Sequence, residues 1–130
     1  MGTIIPARSS GDQTINYLRV PIDFSIGTSG IVTVGVLPAG CLVVRSYVVV
    51  QTVFNFGTNN LVKIGINGAD TIYSGASVSV ASLGTVAGTL AANTNVAPTA
   101  DTTVICTSLC TGTAGTTGKA FVVIEYLPIV

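Results

Sequence analysis

The stretch from Gly40 to Phe54 constrains the fold more than any other part of the sequence. It reads Gly-Cys-Leu-Val-Val-Arg-Ser-Tyr-Val-Val-Val-Gln-Thr-Val-Phe and is dense in β-branched and aromatic residues, which favour a pleated strand. One turn signal, Leu-Pro-Ala-Gly, precedes it, and a second, Asn-Phe-Gly-Thr-Asn-Asn, follows it. Between these signals we predict one long strand, either straight or bent in the middle.

The two faces of this predicted strand differ. Its even positions are mostly apolar, whereas its odd positions carry Arg45, Tyr47 and Gln51 among valines. A strand of this kind lies inside a sheet whose second face meets another sheet or another chain. Arg45 needs a partner if it is buried. We expect it either to pair with Asp23 or Glu125 inside the domain or, with Tyr47, to contact another subunit.

Other segments show the same alternation. Tyr17–Phe24 has a strict period of two, and its Pro21 cannot donate to a ladder, so this strand belongs at a sheet edge. Ala81–Ala92 has the composition of a short helix weakened by Gly84 and Gly88. Further strands are predicted at Ile31–Leu37, Leu61–Asn67, Thr71–Tyr73, Ser77–Leu83, Thr103–Leu109 and Lys119–Leu127. Seven to eight short strands with glycine-rich turns predict an all-β fold, a single antiparallel β-sandwich of jelly-roll type.

The chain divides into an N-terminal arm at residues 1–13 and a sandwich domain at 14–130. The arm has an apolar tip on a polar tether, so we expect it either to dock on a neighbour through Ile4, Ile5 and Arg8 or to be a frayed terminus. Thr71–Ala100 carries no charge and is rich in small residues. We expect this segment either to lie against a symmetry axis or another subunit, or to form a long surface loop.

Composition favours association between copies. The chain has 130 residues, which suits one domain, and only 8% are charged, with a formal net charge of zero. Average soluble domains carry about 25% charged residues, so copies of this chain repel one another weakly. Its Lys and Arg residues are scattered, whereas nucleic-acid binding needs a clustered basic patch. Glycines interrupt the uncharged stretch from Phe24 to Val44, so we expect no membrane-spanning helix.

The sequence contains no recognisable catalytic constellation. Hydrolytic triads need a base, usually His, and the chain has none. Among the carboxylates, Asp12, Asp70 and Asp101 fall in predicted turns, where Asp serves local hydrogen bonding. Three cysteines without His do not make a metal site. We expect them to be small buried residues in a reducing compartment, or one disulfide and a leftover thiol. No enzyme activity, cofactor or metal is expected.

One part of the sequence resembles small structural proteins of tailed bacteriophages. In both, Leu-Pro-Ala-Gly leads into a long valine-rich strand, followed by Phe-Asn-x-Gly-Thr-x-x-Leu and a strand that ends near Gly; here these motifs occupy Leu37 to Gly65. The preceding segment Leu18–Phe24 is similar too, and the likeness covers roughly Tyr17–Gly68.

The resemblance implies a virion protein, assembled in the host cytoplasm, and it transfers no active-site residues. It implies a capsid decoration (cement) protein, or a head-fibre or tail component, often a homotrimer. We therefore expect a non-enzymatic protein that acts by self-association and by binding the major capsid protein or other virion proteins, with no nucleic acid and no membrane. The alternative is a carbohydrate-binding β-sandwich module of a phage fibre or tail.

Overall fold

A computed structural model describes residues 15–92 and 98–128. These residues form eight β-strands, with one short 3-10 turn at Phe24–Ile26. The strands are β1 (Asn16–Asp23), β2 (Ile31–Leu37), β3 (Leu42–Thr52), β4 (Leu61–Gly65), β5 (Val78–Ser79), β6 (Gly84–Ala87), β7 (Thr102–Ser108) and β8 (Lys119–Leu127). The division into an arm and a sandwich stays a prediction, because the arm lies outside the described residues.

The strands form two four-stranded sheets. Sheet A has the order β1-β8-β3-β6 and sheet B the order β2-β7-β4-β5, and all the pairings are antiparallel. β1 pairs with β8, β2 with β7, β3 with β6 and β4 with β5, as in one long hairpin rolled onto itself. This is the jelly-roll arrangement, so the predicted all-β sandwich is confirmed.

The core lies between the sheets and is mostly aliphatic. Its fully buried side chains include Leu37, Val48, Val62, Ile64, Val104, Val122 and Ile124. Burying each such side chain contributes about 1.5–3 kcal/mol. Cys41, Cys106 and Cys110 are free and buried among them, as expected for small buried residues, and the reducing compartment stays a prediction. Burial raises the pKa of Cys106 to about 12.

β1 lies at the edge of sheet A, as its proline predicts. Pro21 pairs with Phe121 of β8, and the other side of β1 has no strand partner among the described residues. β1 packs against β2, and β5 against β6, so these contacts close the two sides of the sandwich.

Three β-bulges, two in β3 and one in β2, change the faces that simple alternation predicts. In β3, Val44 is an extra residue between the pairs Val43–Tyr126 and Arg45–Glu125. Val43 is therefore buried and Val44 is 40% exposed, so the even-position face predicted for this strand is wrong before the bulge and holds from Ser46 to Val50. A second bulge leaves Gln51 between the pairs Val50–Ala120 and Thr52–Lys119, and Thr52 is exposed. A bulge between Thr33 and Gly35 has the same effect in β2, where it turns Val36 outward and Leu37 inward.

The segment after β4 differs from two predictions. Thr71–Tyr73 lies in a turn rather than a strand, with the amides of Ser74 and Gly75 donating to the carbonyl of Thr71. Ala81–Ala92 contains β6 instead of a helix, because pairing with the open edge of β3 satisfies backbone groups of both strands. The described part of Thr71–Ala100 packs on its own chain; its role at a symmetry axis stays a prediction.

Candidate functional site

Four strands form the outer face of sheet A. Thr85 and Ala87 of β6 lie beside Val49 and Tyr47 at one edge, and the rest of the face consists of alternate residues of β1, β3 and β8 that point away from the core. The strand register arranges them in rows across the sheet: Tyr17–Glu125–Arg45, Arg19–Val123–Tyr47, Pro21–Phe121–Val49 and Asp23–Lys119–Thr52. We call these side chains, without Thr52, the platform. Aromatic rings, valines, a proline and Arg19 fill its two middle rows, and the other charged side chains stand in the first and last rows with Tyr17.

The bulge at Val44 places Arg45 on the platform. Val43 faces the core, so strict alternation would return Arg45 to the core two residues later. The extra residue re-aims Arg45 outward, which is a common use of bulges. A buried arginine without a full set of partners would be strongly destabilising, so the bulge keeps the core apolar.

Two arginine side chains lie over aromatic rings of the platform. Cζ of Arg19 is 4.8 Å from the ring centroid of Phe121, and Cζ of Arg45 is 5.1 Å from that of Tyr47. Both distances fall in the range of cation–π contacts. Holding the long side chains flat on the sheet reduces the conformational entropy that would be lost if another surface bound there.

Arg45 pairs with Glu125 rather than with Asp23. The two form an ion pair and a hydrogen bond, which together with the charge of Glu125 raise the pKa of Arg45. The carboxylate of Asp23 instead accepts hydrogen bonds from the amide (2.8 Å) and the hydroxyl of Ser25. Arg45 keeps 65% of its side chain exposed, so its guanidinium remains available to a second acceptor.

The structure brings two of the predicted interface residues together. Arg45 and Tyr47 both lie on the platform, in adjacent rows of β3. Ile4, Ile5 and Arg8 lie outside the described residues. The role of all five in an interface stays a prediction.

Sequence reasoning considered Tyr17 only as one of four tyrosines that could stack on a sugar, and it did not single out Arg19 or Phe121 as site residues. Together with Tyr47, Val49 and Val123 these three residues line an open depression of about 260 Å³ at the centre of the platform. The alternation along β1 and along β8 already indicated which residues of each strand share a face. The sequence did not show that β1 pairs with β8, and this pairing brings the outward side chains of the two strands together.

Within 15–92 and 98–128, no group of three or more His, Cys, Asp or Glu side chains could hold a metal ion. The same residues include no helix of the length and apolarity that a membrane crossing requires.

Comparison with known proteins gives one likeness in fold. No protein-family model matches the chain, and no curated protein matches it. A chain of a solved structure described as "Cyanophage Pam1 capsid asymmetric unit" is similar, with a TM-score of 0.63 and 18% sequence identity. The similarity covers 86% of this chain and 83% of that chain, so it extends over most of the sandwich. At this identity the likeness is one of fold.

Proposed function

We propose that this protein is a non-enzymatic structural component of a phage virion, a capsid decoration (cement) protein assembled in the host cytoplasm. Two independent likenesses support the virion: the sequence motifs between Tyr17 and Gly68, and a fold shared with a chain from a cyanophage capsid. Jelly rolls recur in viral capsid domains, although the fold alone does not set the function.

The platform is the observation that carries the proposal. Tyr, Phe and Arg are enriched in the cores of protein interfaces, where Lys, Glu and Asp are depleted. The middle rows of the platform have this composition. Tyr17, in the first row, is 62% exposed, whereas Val123 in the middle is 6% exposed beneath its neighbours. The protein would act by adhesion, burying such surfaces against copies of itself and against other virion proteins.

Partners follow from the same surfaces. We propose that copies of this chain associate, with a trimer favoured by the resemblance, and that the assembly binds the major capsid protein. The arm, through Ile4, Ile5 and Arg8, would tether one copy to its neighbour. Nucleic acid is not proposed as a partner, because the few basic residues are scattered and two of them lie over aromatic rings.

The test is whether the purified protein binds phage heads and where it lies on them. Heads from a phage that lacks this gene would be mixed with the purified protein, sedimented and imaged. We expect saturable binding with a fixed number of copies per head and added density on the capsid surface. Binding no greater than that of an unrelated sandwich protein, together with absence of the chain from purified virions, would contradict the proposal.

A second candidate, a carbohydrate-binding module of a fibre or tail, is favoured by the aromatic rings around the central depression. Sugars stack on exposed aromatic faces, and Tyr17, Tyr47 and Phe121 surround about 260 Å³ of open space. Glycan-array binding that is lost in Tyr17→Ala would favour this candidate. Equal signals from the wild type and from Tyr17→Ala would count against it.

A further inference from the structure

The outward side chains of β8 have an unusual order of charge. They read Lys119, Phe121, Val123 and Glu125, with opposite charges at the two ends and apolar side chains between them. A strand with this order is complementary to itself when a second copy lies over it in the opposite direction. Lysine then meets glutamate at both ends. Val123 is only 6% exposed and the side chain of Glu125 only 16%, so the more exposed side chains of β1 and β3 on either side supply most of the contact.

We propose that two copies of this chain pack platform to platform, related by a two-fold axis that lies between the sheets and runs perpendicular to the strands. This pairing rests on the self-association in the proposed function, and it identifies the platform as the surface through which two copies associate. In this arrangement Lys119 of each copy faces Glu125 of the other. A two-fold contact joins two copies, so a trimer would use other surfaces and two trimers could be linked through this one.

The other platform strands complement themselves in the same arrangement. On β1, Tyr17 faces Asp23 of the second copy, where its hydroxyl can donate to the carboxylate, and Arg19 faces Pro21. On β3, Tyr47 faces Val49 of the second copy. Face-to-face sheets pack about 10 Å apart and about 30° from aligned, so opposing side chains interdigitate most closely near the centre.

The alternative two-fold arrangement, with its axis parallel to the strands, is disfavoured by charge. It would place Glu125 against Glu125 and Lys119 against Lys119 along β8. Like charges brought together in an interface are strongly unfavourable, whereas opposite charges fix the register. Arg45 already pairs with Glu125, and Asp23 lies beside Lys119, so these charges are partly neutralised within each copy. The order of charge along β8 therefore favours the antiparallel arrangement by a modest amount.

The area available sets the strength of this contact. Three strands at a spacing of about 4.8 Å, extending about 24 Å along the strand direction, give a platform of roughly 350 Å². Stable interfaces bury about 800 Å² per partner, so the isolated pair is expected to be weak, with a dissociation constant in the micromolar range or above. It becomes effective when other contacts hold the copies close together.

Charge reversal tests the arrangement in solution. Lys119→Glu and Glu125→Lys would each place like charges opposite one another, and we expect each to weaken self-association at least about tenfold in sedimentation velocity. Mixing the two variants restores both charge pairs in the mixed dimer, so association should return to about the wild-type level. The matched control is Thr103→Glu, which adds a charge to the outer face of sheet B and should leave association unchanged.

Each outcome decides the proposal. Any of four results would overturn it. The first two are association of either single variant at the wild-type level and no recovery when the variants are mixed. The other two are a trimer that no variant alters and a wild-type protein that is still a monomer at millimolar concentration. If Glu125→Lys fails to fold, Lys119→Glu carries the test. Its defect should then exceed that of Lys119→Gln and shrink in about 0.5 M salt. Capsid binding without this pairing would overturn the pairing alone, and pairing without capsid binding would overturn the proposed function alone.

Discussion

The outer faces of the two sheets differ although the sheets have the same number of strands and share one core. On sheet B, the turn that follows β4 folds back over the strand. Gly65 lies directly beneath this turn, and Nζ of Lys63 is 2.5 Å from Oδ2 of Asp70 within it. On sheet A, the described chain places no such turn over the platform, and its aromatic and arginine side chains remain accessible.

The two faces also differ in the kind of side chain that they carry. The outer face of sheet B carries short β-branched residues: Ile31, Thr33, Val36, Thr103, Ile105 and Thr107. Such residues suit a pleated surface and, in the case of threonine, remain hydrated. The platform carries long or aromatic side chains held by cation–π contacts and an ion pair. The β4 part of one face is thus covered by its own chain, although Ile31 (62% exposed) and Val36 (50% exposed) on β2 stay open, and the other face has the composition of a binding surface.

Gly65→Ala should disrupt the self-covered face most severely. A Cβ at this position would lie 2.6 Å from Cα of Asp70 and still closer to the carbonyl oxygen of Ala69. These are backbone atoms, so the turn must move, and we expect a loss of about 3 kcal/mol in the free energy of unfolding, measured by urea denaturation.

Gly68→Ala, in the same turn, is the matched control. A Cβ there meets nothing within 4 Å, and only its φ of +85° is unfavourable for alanine. We expect a loss of about 1 kcal/mol from that backbone conformation. Equal losses for the two variants would mean that the turn does not cover Gly65 in solution.

Phe121→Ala should show which of the two outer faces mediates self-association. Removing an aromatic side chain from the centre of an interface typically costs about 2 kcal/mol, so we expect the dissociation constant of the pair to rise about 30-fold. Ile105→Ala, the counterpart on sheet B, should leave it unchanged. Sedimentation velocity on both variants measures the difference, and an equal effect of the two would contradict the contrast between the faces.

Most of the fold could be predicted because alternation is a local property. Tyr17–Phe24 and Lys119–Leu127 revealed their faces directly, and Pro21 placed β1 at an edge. The bulge at Val44 could not be predicted, because it depends on the register between β3 and β8. The strand at Gly84–Ala87 was also missed, because its local composition is ambiguous and pairing with the edge of β3 decided its conformation.

The candidate site could be predicted only in part for a similar reason. Arg45 stood out as a charge in an apolar strand, and Glu125 was one of two partners considered for it. The contribution of Arg19 and Phe121 depends on the pairing of the first and last strands of the sandwich. Such a long-range pairing leaves no local signal in a single sequence.

Asp70→Asn should have a modest effect on the self-covered face. The side chain of Lys63 is only 19% exposed, so it depends on Asp70 more than a fully solvated lysine would. Partly exposed ion pairs contribute about 0.5 kcal/mol, and we expect a loss of that size in urea denaturation. Lys63→Gln should give a similar loss, and the double variant little more than either single one. Additive losses would mean that the two side chains do not interact.

Ser25→Ala should have the smallest effect, at the charged end of the platform. Hydrogen bonds from the hydroxyl and amide of Ser25 hold the pKa of Asp23 below its ordinary value of 3.8, with a smaller contribution from Lys119. Because the folded pKa is the lower one, the ionised carboxylate favours the folded state above about pH 3.8, and this advantage is lost as the pH falls through the folded pKa.

Without the hydroxyl, the pKa of Asp23 should rise towards 3.8 but stay below it, since the amide still donates. Carboxyl-carbon NMR titration between about pH 2 and 6 would measure this. An unchanged titration in Ser25→Ala, with a rise in Lys119→Gln instead, would show that charge across the β1–β8 pair holds this carboxylate, which would strengthen the role of Lys119 on the platform.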